Sequence, residues 1–273
     1  MKFDFDAKYF NPEHTLECGQ VFRFTPVDGG YAVYSADKAC LVTSDGKKTV
    51  VESNDSDYFW HYFDLDRDYR QIVDKAKSYN VPLLSRSAEF CKGLRILNQN
   101  REEMIYSFII SQNNNIPRIK GIINRICEGL GENIQTERGG YFSFPSSAAI
   151  AKADVSFFKN AGAGYRDIYL AETSKRLAAE GIAHLENLNA ASLKCELLKY
   201  KGIGPKVADC IALFGFGKTD SFPVDTWIEK VYKEDFKGEL KDRQKISDFL
   251  LNEFKEYSGY VQQYLFYGKR LNL

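Results

Sequence analysis

Lys206 and Asp225 are the residues of this chain best placed for covalent chemistry. They lie in residues 197–232, LLKYKGIGPKVADCIALFGFGKTDSFPVDTWIEKVY. Gly202-Ile203-Gly204 reads as a tight turn feeding a helix that Pro205 opens. Such a helix start presents unpaired N–H groups and the positive end of the helix dipole, a ready seat for a phosphate. Lys206 sits in the first helical turn, and Val207, Ala208, Cys210 and Ile211 make the surroundings apolar. An amine on an apolar face beside a helix N-terminus is expected to lose affinity for its proton, which makes a neutral nucleophile available. Asp225 follows Pro223-Val224 at the start of another helix and offers a carboxylate to a developing positive charge. The same position suits a helix N-cap, and spacing alone does not choose. Cys210 shares a helix face with Lys206 and equally suits a small buried core position.

The elements that must position these groups change character along the chain. From residue 15 to 51 the pattern favours short strands, with hairpin turns at Asp28-Gly29-Gly30 and Ser44-Asp45-Gly46 and a strand at 20–24. This predicts an antiparallel sheet of about four or five strands. From Asp57 onward the period is helical, with helices expected over 66–78, 101–110, 117–129, 166–179, 188–200, 205–214, 225–232 and 243–254. Gly215 suits a helix stop. The fold class is therefore α+β: a small N-terminal antiparallel sheet domain, residues 1–95, packed on a larger helical domain, residues 96–273, with a cleft between them.

Composition sets milder bounds. The 273 residues, 44% hydrophobic and 14% aromatic, suffice for a full core. No run of about 18 apolar residues occurs, so no membrane span is expected. Residues 1–6 alternate charged and aromatic side chains rather than forming a signal peptide, so an intracellular location is expected, cytoplasmic or nucleoid in a prokaryote. The formal net charge of zero predicts modest non-specific affinity for nucleic acid and a shallow salt slope. It leaves room for phosphates gripped by N–H groups and local cations. The six cysteines show no C-x-x-C spacing and the three histidines are scattered, so neither a disulfide framework nor a zinc site is expected.

Residues 197–232 resemble the helix–hairpin–helix, Gly/Pro…Asp motif of the base-excision DNA glycosylases. The lysine ending GIGPK is similar to that of the bifunctional members, which cut the glycosidic bond and then the strand. Lys206-Val207-Ala208-Asp209-Cys210 is most similar to the 8-oxoguanine DNA glycosylases, and further segments extend the resemblance over most of the chain. The resemblance implies that Lys206 attacks the sugar C1′ and that Asp225 stabilises the oxocarbenium-like charge. Gly202, Gly204 and Val207 would hold a DNA phosphate at the hairpin. Cys18-Gly19-Gln20-Val21-Phe22-Arg23-Phe24 is similar to the family's GQ-x-FR strand. There the Gly19 carbonyl would accept the N7–H that 8-oxoguanine has and guanine lacks. By the same resemblance Cys210 lines the base pocket, Gln262 reads the Watson–Crick edge of the flipped base and Phe266 stacks on it.

Asn113, in the run Asn113-Asn114-Asn115, would hold DNA near the vacated position, Arg118 and Arg166 would contact the orphaned base, and Tyr165 would wedge beside it. Without the resemblance these segments read as a polar turn, a loop anchor and an amphipathic helix. The chain departs from the family at Lys201, where proline is frequent, and at Trp227, where histidine is common. Together these features imply a monomer acting on double-stranded DNA containing 8-oxoguanine, with no cofactor and no metal. Two alternatives stand beside this: a glycosylase of the same fold for another damaged base, and a non-catalytic DNA-binding protein.

Overall fold

The computed structural model describes residues 1–136 and 139–273. Five strands form one antiparallel sheet: β1 (Lys2–Asp6), β2 (Phe24–Val27), β3 (Gly30–Ser35), β4 (Lys38–Ser44) and β5 (Lys48–Ser53), in the order β1-β5-β4-β3-β2. Both expected hairpins are present. Val27 pairs with Gly30 across the first turn. In the second, Asp45 Oδ1 accepts the N–H groups of Lys47 and Lys48 at 2.8 and 2.7 Å, a local side-chain closure of the turn.

The sheet's membership differs from expectation. β1 lies along β5, and of residues 20–24 only Phe24 enters a strand. Side-chain hydrogen bonding is the reason. Gln20 Nε2 donates to the carbonyls of Thr15 and Arg95 at 2.9 and 2.6 Å, and Gln20 Oε1 accepts from the Leu97 N–H at 2.9 Å. The Gln20 carbonyl accepts from Gln99 Nε2 at 2.9 Å. With its polar groups satisfied this way, the segment needs no ladder partner.

The sheet closes over a small cluster that includes Phe10, Val33, Val51, Phe59, Phe63 and Leu97. The larger core is helical. Its helices are Tyr69–Ser78, Pro82–Phe90, Arg101–Ser111, Ile116–Leu130, Asp167–Glu180, Ala190–Leu197, Pro205–Phe216, Thr226–Glu234, Arg243–Phe254 and Ser258–Arg270, with shorter helical turns between some of them. Among the described residues no helix is long and apolar enough to cross a membrane. Pro205–Phe216 runs through the centre, with Val207 to Gly215 buried. Phe214 stacks on Phe108 of Arg101–Ser111 at 5.6 Å between ring centroids. The expected stop at Gly215 falls short: the helix continues to Phe216 and closes on Gly217, which is left-handed. Gly215 instead admits Met104, whose Cβ would lie only 3.0 Å from a Cβ at that position. The helix expected from residue 66 begins at Tyr69, because Asp68 caps it through the Arg70 N–H at 3.0 Å. The helix expected over 188–200 ends at Leu197, where the chain turns into the hairpin. Ser56–Tyr62 and Pro82–Phe90 were not expected, being too short to show a clear period.

A buried ion pair joins sheet and helices. Arg23 Nη1 lies 3.2 Å from Glu103 Oε2, which also accepts the Ala36 N–H at 2.9 Å. Arg23 Nη2 donates to the Phe142 carbonyl at 2.6 Å. Burial pushes the Glu103 pKa up, and Arg23 opposes that shift. Arg23→Met would strand the carboxylate without its cation, so a loss of about 3–5 kcal/mol is expected in urea denaturation. A loss below about 1 kcal/mol would show that water or another group replaces the guanidinium.

Candidate active site

The hairpin positions Lys206 through its backbone. Gly202 has a φ of +84°, and a Cβ there would run into the Tyr169 ring, so the turn depends on glycine in both conformation and space. Gly204 is the N-cap of Pro205–Phe216; no side chain caps this helix start, and the space beside Gly204 is open. Val207 is buried in the first turn. Lys206 is half-buried. Its ammonium bonds the Cys210 side chain and lies 6.0 Å from the centroid of the Phe108 ring.

The expected lowering of the Lys206 pKa is not found. Its pKa is raised, first by the charge of Cys210, with burial pulling the other way and the charge of Asp225 adding to the rise. Burial alone would favour the neutral amine, but two adjacent acids favour the ammonium. Burial pushes the Cys210 thiol up to about 11 against the pull of Lys206. The resting pair is therefore an ammonium beside a thiol. Asp225 serves in two ways. Its Oδ1 caps Thr226–Glu234 by accepting the N–H groups of Trp227 and Ile228 at 3.0 and 2.9 Å, while its charge is felt at Lys206.

Gly19, Gln262 and Phe266 also come together. Gly19 has a φ of +87°, and a Cβ there would lie 3.4 Å from both the Phe266 ring and Arg270 Nη1. Gln262 Nε2 donates to the Pro223 carbonyl at 3.4 Å, which ties the final helix to the segment leading into Asp225. The Oε1 of Gln262 is buried and has no partner. From the same N-terminal segment, Phe22 meets Phe108 edge-on at 5.8 Å, and Phe108 lies under Lys206.

A third group faces solvent. Asn113 is exposed and left-handed, with a φ of +44°. Tyr165 is 53% exposed. Its ring meets Tyr169 edge-on at 6.0 Å, so the loop rests on the same tyrosine that covers Gly202. Arg118 is exposed and donates to the Gly162 carbonyl at 3.2 Å. Arg166 differs from its neighbours, being only 2% exposed. It donates to the carbonyls of Gln112 (Nε, 2.9 Å; Nη2 also), Asn113 (Nη2, 3.1 Å) and Ala163 (Nη1, 3.0 Å). In this state it anchors the Asn113 turn. Lys201, a further cation of the hairpin, pairs with Glu172 Oε1 at 2.6 Å.

Sequence reasoning missed several supporting residues. Gln263 Nε2 donates to the buried Cys18 carbonyl at 2.9 Å. Tyr169 and Gln20 likewise position the site without forming it. The only sequence signal for Gln263 is an amide within an otherwise apolar stretch of the last helix.

A glycine hairpin opening a buried helix, a lysine beside a thiol and within the field of a carboxylate, and a glycine facing an aromatic ring make up the candidate site. Comparison with known proteins narrows the class. Residues 2–105 match the model of the 8-oxoguanine DNA glycosylase N-terminal domain, and residues 106–256 match that of the HhH-GPD superfamily of base excision DNA repair proteins. A probable N-glycosylase/DNA lyase of Methanothermobacter thermautotrophicus is 31% identical over 75% of this chain and 70% of its own length. The N-glycosylase/DNA lyase of Saccharomyces cerevisiae is also 31% identical, over 75% of this chain and 64% of its own. The crystal structure of Clostridium acetobutylicum 8-oxoguanine glycosylase/lyase, with double-stranded DNA containing cytosine opposite 8-oxoguanine, is 35% identical. It superposes with a TM-score of 0.92, covering 100% of this chain and 98% of that one. The chain belongs to the 8-oxoguanine DNA glycosylase family of the HhH-GPD superfamily. It is a DNA N-glycosylase with AP-lyase activity, and its fold class is the expected α+β.

Because Lys206 holds its proton, amine-dependent cleavage of an abasic-site duplex should accelerate about tenfold per pH unit over roughly pH 6–9, as the neutral fraction grows. The Cys210 thiol, pushed up to about 11, is uncharged across this range, so Cys210→Ala should leave the slope unchanged. Single-turnover rates that stay flat with pH in the wild type would contradict the assignment.

Proposed function

We propose that this enzyme excises 8-oxoguanine from duplex DNA, with cytosine preferred opposite the lesion, and then cuts the strand through a Lys206 Schiff base. The carrying observation is Lys206 bonded to Cys210, within the field of Asp225, at a helix start with open space beside Gly204. In this reading Gly202, Gly204 and Val207 seat a DNA phosphate while the lesion nucleotide is flipped out. The Gly19 carbonyl accepts the lesion's N7–H, Gln262 reads the Watson–Crick edge, and Phe266 and Cys210 contact the base faces. Neutral Lys206 attacks C1′; the C1′–N9 bond breaks and its electron pair leaves with the base. Asp225 stabilises the positive charge that builds on the sugar. Ring opening gives the imine. Loss of a C2′ proton then expels the 3′ phosphate by β-elimination. The protein works as a monomer, with residues 1–95 and 96–273 as its two domains.

Tyr165 wedges beside the opposite base, and Asn113 holds DNA near the vacated position. Arg118 and Arg166 offer donors only, and cytosine without its partner presents acceptors at O2 and N3. Arg118 is exposed and needs little rearrangement. Arg166 must exchange the carbonyls of Gln112, Asn113 and Ala163 for the base, so Arg166→Ala should lower stability as well as selectivity. Single-turnover excision on four duplexes differing only in the opposite base is the test. The cytosine duplex should react faster than the adenine duplex by a factor corresponding to about 1–3 kcal/mol. Arg118→Ala should narrow that gap. Equal rates on all four would reassign both arginines to the backbone, and no excision from any would point to a different damaged base.

A further inference from the structure

Residues 262, 266 and 270 stand in a row on the final helix, at successive i, i+4 positions. The two ends of the row carry opposite hydrogen-bonding character, and each has an unmet need. Gln262 Oε1 is a buried acceptor without a partner, and Arg270 Nη1 is a buried donor without one. Between them Phe266 presents its ring, with the Arg270 guanidinium 5.4 Å from the ring centroid. Arg270 Nη1 also lies 3.4 Å from where a Gly19 Cβ would be. A buried guanidinium N–H left unpaired is costly, so its position beside the glycine and the stacking ring calls for an explanation.

Resting on the functional reading above, we propose that Arg270 is a specificity-determining residue that donates a hydrogen bond to O8 of the flipped base. The edges of 8-oxoguanine fit the row. N1–H and the 2-amino group need an acceptor, which Gln262 Oε1 supplies. N7–H needs the Gly19 carbonyl. O8 adjoins N7 on the side away from the Watson–Crick edge and needs a donor beside Gly19. Residues 262 and 270 are about 12 Å apart along the helix axis, enough for a fused bicyclic base with a hydrogen bond of about 2.9 Å at each end. Guanine has C8–H in place of O8. Binding it would leave Arg270 unpaired, which adds a second rejection to that at N7.

The test is equilibrium binding in a Lys206→Gln background, which prevents turnover, with and without Arg270→Met or Arg270→Lys. Four duplexes carry 8-oxoguanine, 8-oxoadenine, guanine or a tetrahydrofuran abasic analogue, each opposite cytosine. Arg270→Met keeps a stem against Phe266. It should weaken binding to both 8-oxopurine duplexes by about 10- to 100-fold, the effect of one lost charge-assisted bond, with the tetrahydrofuran duplex bound as before. Arg270→Lys should lose less. Equal losses on the 8-oxopurine and tetrahydrofuran duplexes would overturn the proposal in favour of a backbone or folding role. A loss on 8-oxoguanine but not 8-oxoadenine would move the contact to O6 and overturn it as well, and so would no loss at all. If the parent with Arg270 intact binds 8-oxoguanine no better than guanine, the functional reading itself fails and the O8 contact fails with it.

Discussion

One buried hydrogen bond, from Gln263 Nε2 to the Cys18 carbonyl, fastens the segment before the sheet to the last helix. The next peptide is that of Gly19, whose carbonyl is proposed above to meet the lesion base. Gln20 secures the other side with bonds to Thr15, Arg95 and Leu97 and, through its carbonyl, to Gln99. In that proposed role, a carbonyl clamped on both sides would not swing to suit a base that lacks the matching donor. Such preorganisation turns one hydrogen bond into discrimination. Arg23 and Glu103 hold the next turn of the same segment onto the helices. The GQ-x-FR residues thus act largely as fasteners of the glycine beside them.

The second constraint is the long buried helix that begins at Pro205. Its body from Val207 to Gly215 is buried, which leaves Pro205 and Lys206 at its start partly open to solvent. Lys206 is carried there beside a thiol and near the capping carboxylate of the next helix. Burial and charge oppose one another at this amine, and charge prevails. The ammonium is thus the favoured form in the resting protein. Elsewhere on the same helix Asp209 is buried against Lys194 at 2.8 Å, and burial pushes its carboxyl up to about 6 despite that lysine.

Much of this was legible in the sequence. The turns at Gly29 and Gly46, the long helices, the glycine hairpin and the Asp225 cap all follow from local chemistry, which chain neighbours decide. What could not be read depends on distant partners. Residues 20–24 alternate like a strand, yet Gln20 finds partners in the 95–99 segment. The carbonyls of Gln112 and Asn113 that hold Arg166 come from a segment about 50 residues away, and local pattern does not show them. Gly215 has the right residue type for a helix stop, but packing against Met104 claims it and Gly217 ends the helix. Periodicity reports burial and says little about which charges arrive from elsewhere, so the rise in the Lys206 pKa is not legible from it.

Lys206 is proposed to form the covalent intermediate, and borohydride trapping on a duplex containing 8-oxoguanine is the decisive experiment. The wild type should give a protein–DNA adduct that peptide mapping places on Lys206, while Lys206→Gln should bind the same duplex and give none. An adduct that persists in Lys206→Gln, or that maps to another amine in the wild type, would contradict it.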